Sequence, residues 1–272
     1  MSEKLTVEQQ YKKYPPLWPR YVIEFIGVLL IIYLTNDTLT FSKINEKGWL
    51  IARSAFTGLL KPNWNLVFDT SSVGLGNMLL ETLAIAFLGT VIGTIFAIPL
   101  AFLCSRNIAP KWVNGICLTL VSFIRAFPSF MYAIMFVKAV GTGAFAGVLT
   151  MAIGSIGMLA KLIVEAIEDL NPGIIEALDA AGCSAFEKIR FGIIPQLSSN
   201  IVSTVVYRLD INVKNATVLG LVGAGGIGAS LIQAIGRGDW GSTSSMLLGL
   251  IVMVLILEYF STRMRKKLAT GE

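Results

Sequence analysis

Three cations of this chain sit inside or beside long apolar runs: Arg125, Arg208 and Lys214, with Asp210, Asn212 and Asn215 next to the last two. A charge at the centre of a bilayer costs on the order of 3 kcal/mol or more, so such a residue faces a polar path or a partner. One reading gives Arg125, Arg208 and Lys214 a role in drawing an anion through the membrane, with Asn212 and Asn215 as further polar contacts. The other makes Arg208 and Asp210 a structural pair, or lets the long side chains snorkel to the interface. At 100° per residue, Arg208 and Lys214 are separated by about 120° around a helix, so both border one path only if it is wide and the helix irregular.

Other chemistries are poorly served. The chain has no histidine, which removes most zinc sites and the Ser-His-Asp hydrolases. Cys104, Cys117 and Cys183 match no zinc spacing and read as small buried hydrophobes. The stretch Gly223-Ala224-Gly225-Gly226-Ile227-Gly228 fits G-x-G-x-x-G. A dinucleotide fingerprint also needs a preceding strand and an acid about 20 residues on. The preceding run here is a membrane span, and positions 240–248 contain no acid. Gly223, Gly225, Gly226 and Gly228 instead suit close helix packing or a re-entrant turn lining a path. No G-x-x-x-x-G-K-[ST] occurs, so the chain has no P-loop for ATP.

The elements that must position these residues are membrane helices. The composition is 54% hydrophobic and 14% charged, with a mean hydropathy of +0.71. A water-solvated domain carries about 25% charged residues. The net charge of +5 does not indicate nucleic-acid binding, because the basic residues cluster at the ends of apolar stretches and no recognition module accompanies them.

The expected plan is an all-α polytopic membrane protein with about six transmembrane helices. Residues 1–17 form a polar N-terminal segment, and 18–35 an uncleaved first span, since Thr35-Asn36-Asp37 offers no small-residue cleavage site. Residues 36–77 form an extracytoplasmic segment. Within it Trp49, Ala52, Phe56, Leu59 and Leu60 fall at helical spacing, either as an interfacial helix or as a packed loop helix. The core domain, 78–262, has spans at Met78–Cys104, Trp112–Val137 with a bend at Pro128, Ala144–Ile167, Ile201–Val222 and Ser244–Tyr259. A glycine-rich segment runs to about Gly241, and a basic tail, 263–272, ends the chain. With both termini inside, the inner segments hold 13 Lys and Arg, counting Arg20 and Lys161 of the adjoining spans, and the outer ones 6, which favours cytoplasmic termini.

The polar stretch 168–196 interrupts the core. Asn171 can cap a helix with Pro172 at its first position. The run Ile174–Ala181 favours helix. Gly182 can end it in the left-handed conformation. Ser184 and Glu187 have capping-box spacing for a second short helix, which should end near Pro195. Two short helices joined at a glycine make a knob for a partner's groove, or simply a folded loop.

Glu176-Ala177-Leu178, Gly182 and Ile194-Pro195 resemble the signature Glu-Ala-Ala, three residues, Gly, nine residues, Ile-x-Leu-Pro of ABC-importer permeases. The chain departs from it at Leu178 and Gly192 and keeps the spacing. Asn212–Gly220, running into Gly223–Gly228, and Arg125-Ala126-Phe127-Pro128 are similar to phosphonate-transporter permeases, and methionine permeases share the glycine segment. The likeness extends over most of residues 75–265.

That resemblance implies a type I ABC-importer permease plan whose cytoplasmic coupling helix, with Glu176, Ala177, Gly182, Ile194 and Pro195, docks on a separate ATPase. It implies a permease homodimer, two ATPase subunits holding ATP and magnesium, an extracytoplasmic substrate-binding protein, and no cofactor on this chain. The expected cargo is a phosphonate or related phosphorus oxyanion. The alternatives are an ABC permease for methionine or another small solute and, in a different class, an ion-coupled secondary carrier. The last expects paired half-repeats, and no convincing repeat is present.

Overall fold

A computed structural model describes residues 18–35, 46–71 and 73–270. The polar N-terminal segment and the first part of the 36–77 segment lie outside the described residues. The chain divides into two units, Met1–Arg53 and Ser54–Glu272. In the first, α1 (Trp18–Thr35) is apolar apart from Arg20 and Glu24, which pair at 3.0 Å, and has no buried residue, as suits a helix surrounded by lipid. Helix α2 (Glu46–Leu59) runs across the unit boundary and contains four of the five residues read as its apolar stripe, with Leu60 just beyond.

In the second unit α3 (Trp64–Phe68) is capped by Asn63, whose side chain accepts from the Asn65 N–H. Helix α4 (Leu75–Cys104) has 30 residues. At 1.5 Å per residue it measures about 45 Å, longer than a hydrocarbon core of roughly 30 Å. Helices α5 (Lys111–Ala126) and α6 (Ser129–Val140) follow, then α7 (Ala144–Glu168). The expected single span Trp112–Val137 is two helices meeting at 85°. Pro128 explains the break: its ring drives Phe127 into extended backbone, φ −97° and ψ 133°.

Beyond α7 come α8 (Pro172–Ala180), α9 (Ala185–Glu187), a π-helical turn over Lys188–Ile193 and α10 (Ile194–Leu219). The second short helix therefore does not end near Pro195. It continues through the π turn, where the Ile194 N–H donates to the Ile189 carbonyl. Pro195 then falls in the first turn of α10, where its missing N–H breaks no hydrogen bond. After a 3₁₀ turn (Gly220–Val222), the glycine-rich segment yields a helix absent from the sequence reading, α11 (Ile227–Arg237), and α12 (Trp240–Thr270) closes the fold.

Among the described residues four helices, α1, α4, α7 and α12, are long and apolar enough to cross a membrane. The count reaches six if α5 with α6, and the α9–α10 run with α11, each make one bent span. Helices α4 and α7 form the most extensive pair. Gly89 and Gly93, four apart on α4, lie directly against Met151 and Ser155 of α7, the small-residue spacing that lets membrane helices approach closely. Polar residues enter the interior, and large apolar ones cover much of the outside. Thr82, Thr90, Thr150, Ser155 and Asn212 are buried, while Leu80, Phe96, Phe123 and Leu255 are exposed. Lipid solvates apolar side chains, and buried hydroxyls return their protons to the helix: Thr90 donates to the Ala86 carbonyl at 2.6 Å and Thr150 to that of Ala146 at 2.8 Å.

Candidate coupling loop and membrane path

The loop between α7 and α10 is built from local hydrogen bonds. Asn171 Oδ1 accepts from the Gly173 N–H at 3.0 Å, with Pro172 at the first helical position of α8. At the other end Cys183 N–H donates to Leu178 O and Gly182 N–H to Asp179 O, both at 3.0 Å. This paired closure requires a left-handed residue, and Gly182 supplies it at φ +76°. Ser184 then starts α9 with a complete capping box: its N–H donates to Glu187 Oε2 at 2.7 Å, and its Oγ accepts from the Glu187 N–H at 3.4 Å. Hydrogen bonds from the Ser184 hydroxyl, and then from its backbone, hold the Glu187 carboxyl below the ordinary carboxylate value.

Lys188 of the π turn pairs with Asp179 of α8 and ties the two arms together. The arms join the membrane core through Ile193, which is buried with Ala101, Val121 and Ile163. Arg106 N–H, on the preceding loop, donates to Glu168 Oε1 at 3.1 Å. Glu176, Ala177, Phe186 and Phe191 are exposed on this projection, and Ile194 and Pro195 lie exposed at its base. An elbow with a hydrogen-bonded frame and exposed apolar tips can transmit a push from a docked partner.

The membrane cations fall into different environments. Arg208, midway along α10, is buried. Its Nε donates to Ser155 Oγ at 3.0 Å, and its Nη1 lies 3.0 Å from Met158 Sδ. Asn212, one turn on, donates through Nδ2 to the same Ser155 Oγ and to Thr90 Oγ1, both at 2.8 Å. Among the described residues no partner reaches its buried Oδ1. Lys214 is on another face, 3.0 Å from Asp210 and 3.5 Å from Glu258 of α12. Asp210 therefore pairs with Lys214, one turn away, rather than with Arg208 two residues away, whose side chain points elsewhere on the helix.

Arg125 is exposed in the last turn of α5, and Asn215 is half-buried beyond Asn212. Arg208 and Asn212 are thus joined through Ser155, whereas Lys214 is not part of that cluster. Ser155 and Thr90 are missing from the sequence reading, although a hydroxyl in mid-span is a visible sign of an internal polar face.

The glycine segment fastens α10 to α11. Gly223, Gly225 and Gly226 all have left-handed φ, and the Gly226 and Ile227 N–H groups donate to Glu81 Oε1 at 3.1 Å and Thr82 Oγ1 at 2.9 Å of α4. A Cβ on Gly228 would run into the Thr217 carbonyl and stand 2.8 Å from Gly220 Cα, so backbone packs on backbone there. Glu81, a carboxylate seated at the start of α11, is a further residue the sequence reading missed.

Among curated relatives, the chain is 37% identical over 186 residues to the putative phosphite transport system permease protein HtxC of Stutzerimonas stutzeri, covering 68% of this chain and 66% of that one. It is 38% identical over 184 residues to the phosphate-import permease protein PhnE of Mycolicibacterium smegmatis, covering 67% of this chain and 34% of that one. The phosphite transport system permease protein PtxC of Stutzerimonas stutzeri is 35% identical, with 69% of each chain covered. The match thus spans about two thirds of the first relative and a third of the second.

Among solved structures, the MetNI methionine ABC transporter in its inward-facing conformations aligns with a TM-score of 0.64 at 22% identity, over 71% of this chain and 95% of that one. That likeness shows that the chain shares the fold of that transporter chain. The family model for binding-protein-dependent transport system inner membrane components matches residues 89–270, well over half of the chain, and the protein belongs to that family of transport permeases.

Proposed function

We propose that this chain forms the translocation path of an ATP-driven importer for phosphonates or related phosphorus oxyanions such as phosphite and phosphate esters. The observation that carries this reading is identity of 35–38% over two thirds of the chain to permeases named for phosphite and phosphate transport. In it, two copies of the permease pair with two ATPase subunits, which hold ATP and magnesium, and receive cargo from an extracytoplasmic binding protein. Both termini and the 168–196 loop face the cytoplasm. Glu176, Ala177, Gly182, Ile194 and Pro195 form the docking elbow. Closure of the ATPase pair favours one packing of the membrane helices over the other, and only that difference in free energy moves cargo. Arg208 and Asn212 border the path, with Arg125 and Asn215 as further polar groups beside it. Lys214, whose charge meets two carboxylates, contributes to the potential rather than to contact.

Uptake of labelled phosphonate, phosphite and methionine, in cells carrying the permease with its neighbouring ATPase and binding-protein genes, tests the reading. Uptake of a phosphorus oxyanion is expected; methionine uptake alone would move the protein to a different cargo. Labelling of a cysteine introduced between Asn171 and Pro195 by an impermeant reagent in intact cells would reverse the orientation.

A further inference from the structure

Helix α10 carries an unbroken polar face. Counted at about 100° per residue from Gln196, every position within a sector roughly 100° wide is polar as far as Thr217. Gln196, Ser199, Asn200 and Ser203 form its first half; Tyr207, Asp210, Lys214 and Thr217 form its second. At 1.5 Å per residue the sector runs about 32 Å, which matches a hydrocarbon core of roughly 30 Å. Gln196, Asn200, Tyr207 and Lys214 are exposed, and within the sector only Asp210, the 3.0 Å partner of Lys214, is buried.

The other sides of the helix are packed. Leu197 is buried with Ile163 and Val164, and Val213 and Ala216 with Ile85 and Met151. The bonds from Arg208 and Asn212 to Ser155 and Thr90 fasten α10 to α7 and α4, and so fix which way the polar sector faces. Helix α12 runs antiparallel beside it. Lys214 Nζ lies 3.5 Å from Glu258, and two turns away the Arg265 guanidinium lies 5.6 Å from the centre of the Tyr207 ring. Near the start of the sector, Gln196, Ser199, Asn200 and Ser203 bound, with Leu268, a cavity of about 320 Å³. Polar side chains and open space coincide there.

A serine against lipid can return its proton to its own helix. The Asn200 amide and the Lys214 ammonium carry more donors than a helix absorbs, and acyl chains solvate none of them. A polar sector as long as the bilayer is thick therefore faces water or a polar partner, and the cavity at its start favours water. We infer that the face of α10 from Gln196 to Thr217 is a water-lined wall of the translocation path, along which a small hydrated anion passes Ser203 and Tyr207. The inference rests on the anion-importer reading and deepens it by naming the surface on which the cargo moves. Neutral hydroxyls and an amide replace part of the anion's hydration without holding it at one place, as passage requires.

The test uses the permease–ATPase complex in proteoliposomes, after replacement of the three native cysteines. Asn200→Cys, Ser203→Cys and Tyr207→Cys are compared with Val202→Cys, which is exposed on the apolar side of the same helix. A charged methanethiosulfonate reagent, present on both sides of the membrane, should label the three sector cysteines at least tenfold faster than Val202→Cys, and co-purification of the ATPase checks that each variant assembles. Ser203→Cys and Tyr207→Cys labelled no faster than Val202→Cys overturn the wall. So does a disulfide between two copies at those positions in place of labelling, which would make the face a subunit contact. Phosphite uptake by the cysteine-free complex with its binding protein is measured alongside. Uptake with unreactive sector cysteines sinks the wall alone; reactive sector cysteines without uptake of any phosphorus oxyanion sink the cargo reading and leave the wall standing.

Discussion

Leu178 of α8 fills the space in which a side chain on Gly192 of the π turn would lie: a Cβ built on Gly192 runs directly into Leu178 Cδ1. Both are positions at which the loop departs from the Glu-Ala-Ala to Ile-x-Leu-Pro signature. The bulk lost at one is supplied by the other, so the arms of the elbow stay packed.

The two substitutions should therefore be strongly non-additive. Gly192→Ile alone overpacks the joint and should destabilise the loop by about 1–3 kcal/mol. Combining it with Leu178→Ala should recover most of that loss, with a coupling of at least about 1 kcal/mol. Thermal unfolding of the purified permease with each single and the double variant measures the cycle.

Gly182→Pro should reduce uptake at least tenfold while the protein still inserts. Proline cannot adopt the φ of +76° found there, and the closure of α8 depends on it. Glu176→Lys, which leaves every described hydrogen bond of the loop in place, should do the same by altering the exposed docking face. Membrane fractionation and transport assays on the two variants check both statements; full uptake in either would remove the coupling role.

The Ser184–Glu187 capping box makes the start of α9 sensitive to acid. Its carboxyl lies below the ordinary value of 4.5 because the Ser184 hydroxyl, then the Ser184 N–H, bond the charged form. A depressed carboxyl stabilises the folded loop above the ordinary value, and that contribution is lost as pH falls through the lower folded value. An NMR titration of labelled Glu187 should have its midpoint below 4.5, and Ser184→Ala should raise it.

Lys214→Met should destabilise the protein by about 1–3 kcal/mol, since it leaves the buried Asp210 carboxylate without its 3.0 Å partner; the half-exposed lysine keeps the loss below that of a fully buried pair. Adding Asp210→Asn should restore much of it. Lys161→Met, which breaks an exposed pair one turn apart on α7, should cost under about 0.5 kcal/mol. Chemical or thermal denaturation in detergent ranks the three.

Local chemistry carried much of this fold in the sequence. Asn171 before Pro172, Gly182, and Ser184 three residues before Glu187 are short-range patterns whose hydrogen bonds close within a few residues, so their spacing alone determined the caps and the turn. Apolar length likewise determined the spans at α4, α7 and α12, because the bilayer sets how many residues must be apolar.

Where long-range packing intervened, the sequence was silent or misleading. Pro195 reads as a helix end until the π turn places it in a first turn, where no N–H is needed. Helix α11 is hidden by glycines whose left-handed backbone matters only once Glu81 and Thr82 of α4 are there to accept its first N–H groups. The partner of Asp210 and the role of Arg208 depend on which side chains of α4, α7 and α12 stand opposite them, separated by dozens of residues along the chain. One-dimensional spacing measures angle around a single helix; it contains no information on which helix lies across the gap, and that is what the tertiary structure decided.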